Sequence, residues 1–145
     1  MEIKPYKSFG PLVFGQSSRA DCVQLFGRPI QIKRNREGVE ELHYDQFIIR
    51  IDPQTLAVRE CTLLPRTDAI IAGIKITWDK SFLRRVCELD GSPKDVYGFI
   101  VLDHLGIAVT GIHDDDESQL AITAFSKGEF DDLLPESVPF AIPSA

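Results

Sequence analysis

A set of residues recurs at one constant offset of 64: Gly27 and Pro29 return as Gly91 and Pro93, Phe14 as Trp78, and Leu56-Ala57-Val58 as Leu120-Ala121-Ile122. A fixed offset across separate features is the signature of an internal repeat, and it restricts the chain to folds in which one small supersecondary unit is built twice. Each unit has room for only one helix and too little apolar surface to close a core alone. The two must therefore share a core, with the helices on one side of an antiparallel sheet that is continuous or nearly so across both.

Local patterns fill in the unit. Residues 1–10 read as an irregular lead-in laid over the core through Tyr6 and Phe9. Residues 12–14 are β-branched and aromatic enough for a short strand, which Gly15 ends. Ser17 or Ser18 opens a helix, with Asp21 three residues beyond Ser18 where a capping box places its acid. Cys22, Val23, Leu25 and Phe26 supply its apolar face, Gly27 its left-handed cap, and Pro29 prevents it from resuming. The spacing then changes to that of strands over 31–34, 39–44, 47–51 and 56–64, separated by turns at 35–38, 45–46 and 52–55. In the last strand one apolar face is Ala57, Cys61 and Leu63, interrupted by Arg59.

The second unit follows with a strand at 74–78 and a helix opened by Asp79 or Ser81. Phe82, Leu83, Val86 and Leu89 form a clearer amphipathic face than in the first unit, and Gly91-Ser92-Pro93 closes the helix. Strands are expected at 96–102, with Gly98 as a bulge, at 107–112 and at 120–125. The tail from Ser126, with three prolines, reads as extended, parts of it packing through Phe130, Leu133, Leu134 and Phe140. The expected fold class is α+β: two β-α-β-β-β repeats, 10–66 and 73–130, in a single compact domain 1–145.

Composition bears mainly on partners. At 145 residues and 43% hydrophobic the chain can bury a core without disulfide staples. Cys22, Cys61 and Cys87 lack CxxC spacing and lie in apolar or periodic stretches, which reads as buried reduced thiols. The start, Met1-Glu2-Ile3-Lys4-Pro5-Tyr6, has no apolar signal region, and no stretch is long enough to cross a membrane. A cytoplasmic protein is expected. Residues 1–72 carry ten Lys/Arg against nine Asp/Glu, and residues 73–145 carry six against thirteen. The first half is thus near +1 and the second near −7. Such a field repels nucleic acid and anionic lipid and attracts a basic partner, although acidic surface also serves solubility.

Candidate catalytic groups are sparse. His43 alternates with Glu41 and Asp45 in a strand, but no nucleophile or second base accompanies it. His104 and His113, with Asp114, Asp115, Asp116 and Glu117, offer imidazole and carboxylate of the kind that suits Zn, Mn or Fe, without a recognisable ligand spacing. The acidic run also lacks the Gly and final Glu of a calcium loop. No phosphate-binding glycine run or GxSxG elbow is present, and Cys22 sits in mid-helix. Neither a cofactor nor a metal is expected, and the chain is read as non-enzymatic. The remaining pattern is acidic and aromatic: Asp114, Asp115, Asp116 and Glu117 before the last strand, and Glu129, Phe130, Asp131 and Asp132 after it. An aromatic anchor among carboxylates suits a protein interface, since charge steers encounter and the aromatic centre holds it. Phe130 tucked back onto the sheet is the competing arrangement.

Phe14-Gly15-Gln16-Ser17 followed by Phe26-Gly27-Arg28-Pro29 resembles the repeat unit of the beta-lactamase inhibitor protein and of the small SmpA-type outer-membrane assembly lipoproteins. That resemblance implies helical segments packed on a four-stranded antiparallel sheet, with two units in tandem in the inhibitor. The chain departs from the inhibitor in lacking a secretion signal and its disulfides, and from the lipoproteins in lacking a lipobox cysteine. In layout it is also similar to small cytoplasmic immunity proteins of Gram-negative bacteria found beside secreted toxins, through Tyr44-Asp45, Asp103-His104-Leu105-Gly106-Ile107 and the segment from Phe125-Ser126-Lys127 to Asp131. The implied role is neutralisation of a cognate toxin by binding it, and the acidic field of the second half makes a basic cleft the expected target. A structural adaptor and a small-ligand-binding domain are the alternatives, and a free sheet edge leaves a homodimer open.

Overall fold

The structure is a computed structural model that describes residues 1–144. In chain order the elements are β1 (Glu2–Lys4), β2 (Ser8–Phe9), β3 (Leu12–Val13), α1 (Arg19–Phe26), β4 (Gln31–Arg34), β5 (Glu40–His43), β6 (Phe47–Ile51) and β7 (Val58–Leu63). They continue with β8 (Ile70–Ile71), β9 (Ile74–Lys75), α2 (Lys80–Asp90), β10 (Lys94–Val96), β11 (Phe99–Leu102), β12 (Ile107–Thr110), β13 (Ala121–Phe125) and β14 (Val138–Pro139). The fold is α+β, with both helices packed against sheet. Each helix is followed by four antiparallel strands, where three had been expected after the second.

Two sheets carry the chain. A nine-stranded antiparallel sheet runs β14-β10-β11-β12-β13-β7-β6-β5-β4. Its centre is the pairing of β7 with β13, Cys61 opposite Ala124 and Thr62 opposite Thr123, so the sheet is continuous across both halves. A small mixed sheet, β3-β2-β1-β8-β9, joins the lead-in to the second half through the parallel pairing of β1 with β8. The lead-in is therefore not irregular: Ile3 and Phe9 are buried in β1 and β2. Strands of two and three residues are too short to show a period in the sequence.

One face of the large sheet presents Leu42, Ile49, Cys61, Leu63, Ile122, Val109 and Ile100 to a core completed by both helices and the small sheet. On the opposite face the halves differ. In the second half Val96, Val101, Ala108 and Phe125 form a small apolar cluster covered by Tyr6 and by Phe130 and Leu134 of the tail. In the first half that face is polar: Glu41, Arg50 and Glu60 lie in one cross-strand row, His43, Ile48, Thr62 and Thr123 in the next.

Two local departures follow from backbone geometry. Arg50 pairs with Glu60 but Ile51 pairs with Val58, so Arg59 is the extra residue of a bulge. The bulge turns Val58 into the core, leaves Leu56 exposed at φ +62°, and aims Arg59 at Glu129. The strand expected at 96–102 is in fact a hairpin, β10 to β11. Its two loop residues, Tyr97 and Gly98, both have positive φ (+52° and +90°), the backbone that matches the twist of a two-residue turn.

All three cysteines are free and buried. Burial pushes the Cys22 thiol up to about 11 and the Cys87 thiol up to about 12, and also raises Cys61 well above its ordinary value. None of them is a poised nucleophile at neutral pH. Among the described residues no helix is long and apolar enough to cross a membrane.

Candidate protein-binding surface

The acidic run 114–117 lies in the connection from β12 to β13, and that connection is tightly built. Gly111 (φ +84°) starts it, and a Cβ there would fall 2.5 Å from the Leu120 nitrogen and 2.7 Å from the Asp116 carbonyl, so only glycine fits. Asp116 accepts hydrogen bonds from the Ser118 amide at 3.1 Å and the Ser118 hydroxyl at 2.6 Å, capping the single 3₁₀ turn Glu117–Gln119. The Thr110 hydroxyl donates to the Gln119 carbonyl at 2.6 Å. Asp115, at φ +54°, meets the Lys80 ammonium at 2.9 Å. Asp114 and Glu117 project into solvent. The loop and the start of α2 enclose an open cleft of about 430 Å³ lined by Trp78, Asp79, Lys80, Asp115, Glu117 and Leu120.

Beside this loop stands the tip of the β10–β11 hairpin. The Asp95 carboxylate accepts the Gly98 amide at 2.9 Å and holds the turn closed. Tyr97 at its tip is 72% exposed, and Phe99 is 44% exposed. A groove of about 160 Å³ separates hairpin from loop, walled by Tyr97, Gly98 and Phe99 on one side and Gly111, Asp114 and Gln119 on the other. Two exposed aromatic residues thus sit on a closed turn across the groove from the Asp114 carboxylate.

The residues after β13 divide. Phe130 is half-buried, its ring 4.5 Å from Phe125 and 6.4 Å from Phe99 between centroids, so it backs the exposed Phe99 rather than presenting itself. Glu129 is engaged within the chain, accepting from Arg59 Nε at 2.6 Å and from the Ser126 hydroxyl at 3.4 Å. Asp131 and Asp132 are exposed. The two acidic groups lie beyond opposite ends of β13, a strand roughly 13 Å long at 3.3 Å per residue. The structure therefore places Asp114 across a groove from Tyr97 and Phe99, and directs Asp115 and Glu117 to the cleft beside Lys80. The available signal for Tyr97 in the sequence was Gly98 alone, since Tyr is not a residue that two-residue turns favour.

The three histidines lie apart, each against different neighbours, and the buried His113 Nδ1 has no hydrogen-bond partner among the described residues. His43 Nε2 lies 3.3 Å from Glu41, which also accepts from Arg50 Nε at 2.8 Å. Burial works to raise the Glu41 carboxyl, but hydrogen bonding and charge from Arg50, then His43, outweigh it and hold the group below its ordinary value. Across the same row Glu60 is raised, because burial dominates and Arg50 stands 3.9 Å away. His104 is fastened to buried Asp90: its amide donates to the carboxylate at 2.8 Å and Nδ1 lies 2.7 Å from the Asp90 carbonyl, which ties the end of α2 to the β11–β12 turn. His113 stacks edge-on against Phe140 at 5.8 Å. Among the described residues no group of three or more His, Cys, Asp or Glu is placed to hold a metal ion.

Comparison of the chain with protein-family models, with curated protein sequences and with solved structures found no match.

Proposed function

We propose that this protein is a stoichiometric, non-enzymatic binder of another protein, acting as an immunity-type inhibitor that occludes a toxin's basic cleft. The observation that carries the reading is Tyr97: a large aromatic side chain, mostly in solvent, held on a turn whose backbone needs positive φ, beside the Asp114–Glu117 loop. Placing an aromatic there costs backbone strain and solvation, and interfaces are where such a residue is repaid by burial. The carboxylates steer a cationic partner, and Tyr97 with Phe99 then fills its apolar centre. The net charge of the second half, near −7, extends the same field over the neighbouring surface.

The same reading takes 10–66 and 73–130 as two copies of one unit, as in the tandem inhibitors the chain resembles. Supporting it, each helix ends at a glycine with positive φ, Gly27 and Gly91, and is followed by four antiparallel strands. Both halves also carry a cleft between the helix start and the loop joining the third and fourth strands. In the first half this cleft is about 330 Å³ and includes Arg19, Asp52 and Leu56.

The test is coexpression. A toxic partner recovered with this chain is expected to be silenced by the wild type and not by Tyr97→Ala combined with Asp114→Lys and Glu117→Lys, all exposed positions. A complex in which the partner keeps full activity would favour an adaptor role instead.

A further inference from the structure

We infer that the free edge strand β4 is a second docking site, taking an extended acidic segment of a partner protein as a tenth strand of the sheet. The surface is distinct from the acidic one and opposite in charge, so the inference stands apart from the inhibitor reading.

The large sheet has two edges, and only one is covered. At the β10 edge the chain's own tail pairs as β14, Lys94 opposite Pro139 and Asp95 opposite Val138, and the Phe140 amide donates to the Pro93 carbonyl at 3.0 Å. That tail, residues 129–142, contains Glu129, Asp131, Asp132 and Glu136 and no Lys or Arg. At the other edge every residue of β4 is exposed. The Asn35 amide donates to the Val39 carbonyl at 3.0 Å, and the Tyr44 amide to Phe47 at 2.9 Å. Together with the register of Lys33 opposite Glu41, these bonds set the alternation: Gln31 and Lys33 direct their backbone groups to β5, while those of Ile32 and Arg34 point outward unpaired. Such a row is a template for an added strand.

The side chains select what is added. Ile30 is 76% exposed and Ile32 44%, apolar contacts for a peptide lying alongside. Arg28, Lys33, Arg34 and Arg36 are all exposed around them. Edge-to-edge pairing of two copies would oppose these cations to their own kind, which is how natural edges resist self-association. An acidic segment meets no such penalty, and the covered edge shows that a short proline-bearing segment can pair on this sheet.

The probe is a synthetic peptide of residues 129–142, titrated into the full-length, ¹⁵N-labelled protein at low and then moderate salt. Saturable shifts at the amides of residues 30–34, with slowed hydrogen exchange at Ile32 and Arg34 and affinity falling as salt rises, are expected. Ile32→Pro removes an outward amide that makes no bond within the sheet, so it leaves the fold intact and is expected to weaken binding about tenfold. Arg28→Glu with Arg36→Glu, which leaves the backbone untouched, is expected to weaken it severalfold. Shifts confined to β10, binding indifferent to both variants, tighter binding of an oligonucleotide of equal charge, or a dimer that Ile32→Pro abolishes would each overturn the assignment.

Discussion

The two helices do the same topological job with unequal means. α2 buries Phe82, Leu83, Val86, Cys87 and Asp90, whereas α1 buries Cys22 alone and leaves Leu25 half in solvent. What holds α1 is peripheral: a full capping box between Ser18 and Asp21, the Tyr44 hydroxyl donating to the Gly27 carbonyl at 2.9 Å, and edge-on stacking of Phe26 on Tyr44 and Phe47. The second half is thus anchored through its core and can carry an acidic, strained surface. The first half is held by caps and aromatic edges and ends in an open strand.

The contrast is broken most sharply in the core. Leu83→Ala is expected to cost about 2–5 kcal/mol, and Leu25→Ala, at the most apolar exposed position of α1, less than about 0.5 kcal/mol, both by denaturant titration. Comparable losses would mean that α1 is packed as deeply as α2. Next comes the acidic loop: Gly111→Ala is expected to cost about 2–3 kcal/mol, since backbone clash adds to positive φ, while Gly38→Ala, with open space at its Cβ, costs about 1 kcal/mol for strain alone. Smaller still, Asp79→Ala and Ser18→Ala each remove a cap worth about 1 kcal/mol. Because α1 has little else, Ser18→Ala is expected to speed amide exchange throughout that helix, and Asp79→Ala only in the first turn of α2.

The smallest effect concerns the polar row on the first half. Glu41 is held below its ordinary value, so its ionised form stabilises the fold above the unfolded pKa, and that contribution is lost as pH falls toward the depressed native value. Glu60 is raised: protonation favours the fold, and stability is lost as pH rises from the unfolded carboxylate value through the raised native one. Glu41→Gln should therefore lower stability at pH 7, and Glu60→Gln should leave it unchanged or raise it. A loss of stability in Glu60→Gln equal to that in Glu41→Gln would show that Arg50 pairs with both carboxylates alike.

Much of this architecture was readable from residue order. Gly27 and Gly91 end the helices at the expected places, though only Gly91 takes the left-handed conformation and Gly27 stands at φ +80°, ψ −170°; Ser18 with Asp21 forms the expected box, and the strands 31–34 and 47–51 match the observed β4 and β6. What escaped reading depends on contacts distant in sequence. Ile3 finds its strand partners at Phe9 and at Ile71, the latter far along the chain, and Arg59 is displaced by a bulge that no alternation of side chains announces. The candidate surface was half legible. The carboxylates 114–117 stand exposed or at the loop rim, but the engagement of Glu129 by Arg59 and the backing of Phe99 by Phe130 depend on the tail folding back over the sheet. Tyr97 is silent in the sequence because a lone Gly98 within 96–102 reads as readily as a bulge inside one strand as it does as half of a turn.

Affinity capture from the native lysate, wild type beside Tyr97→Ala at low and moderate salt, tests the binding claim most directly. The account predicts one stoichiometric partner, held less tightly as salt rises and lost from the Tyr97→Ala capture, and toxic when expressed without this chain. A partner retained equally by Tyr97→Ala at both salt concentrations would contradict it.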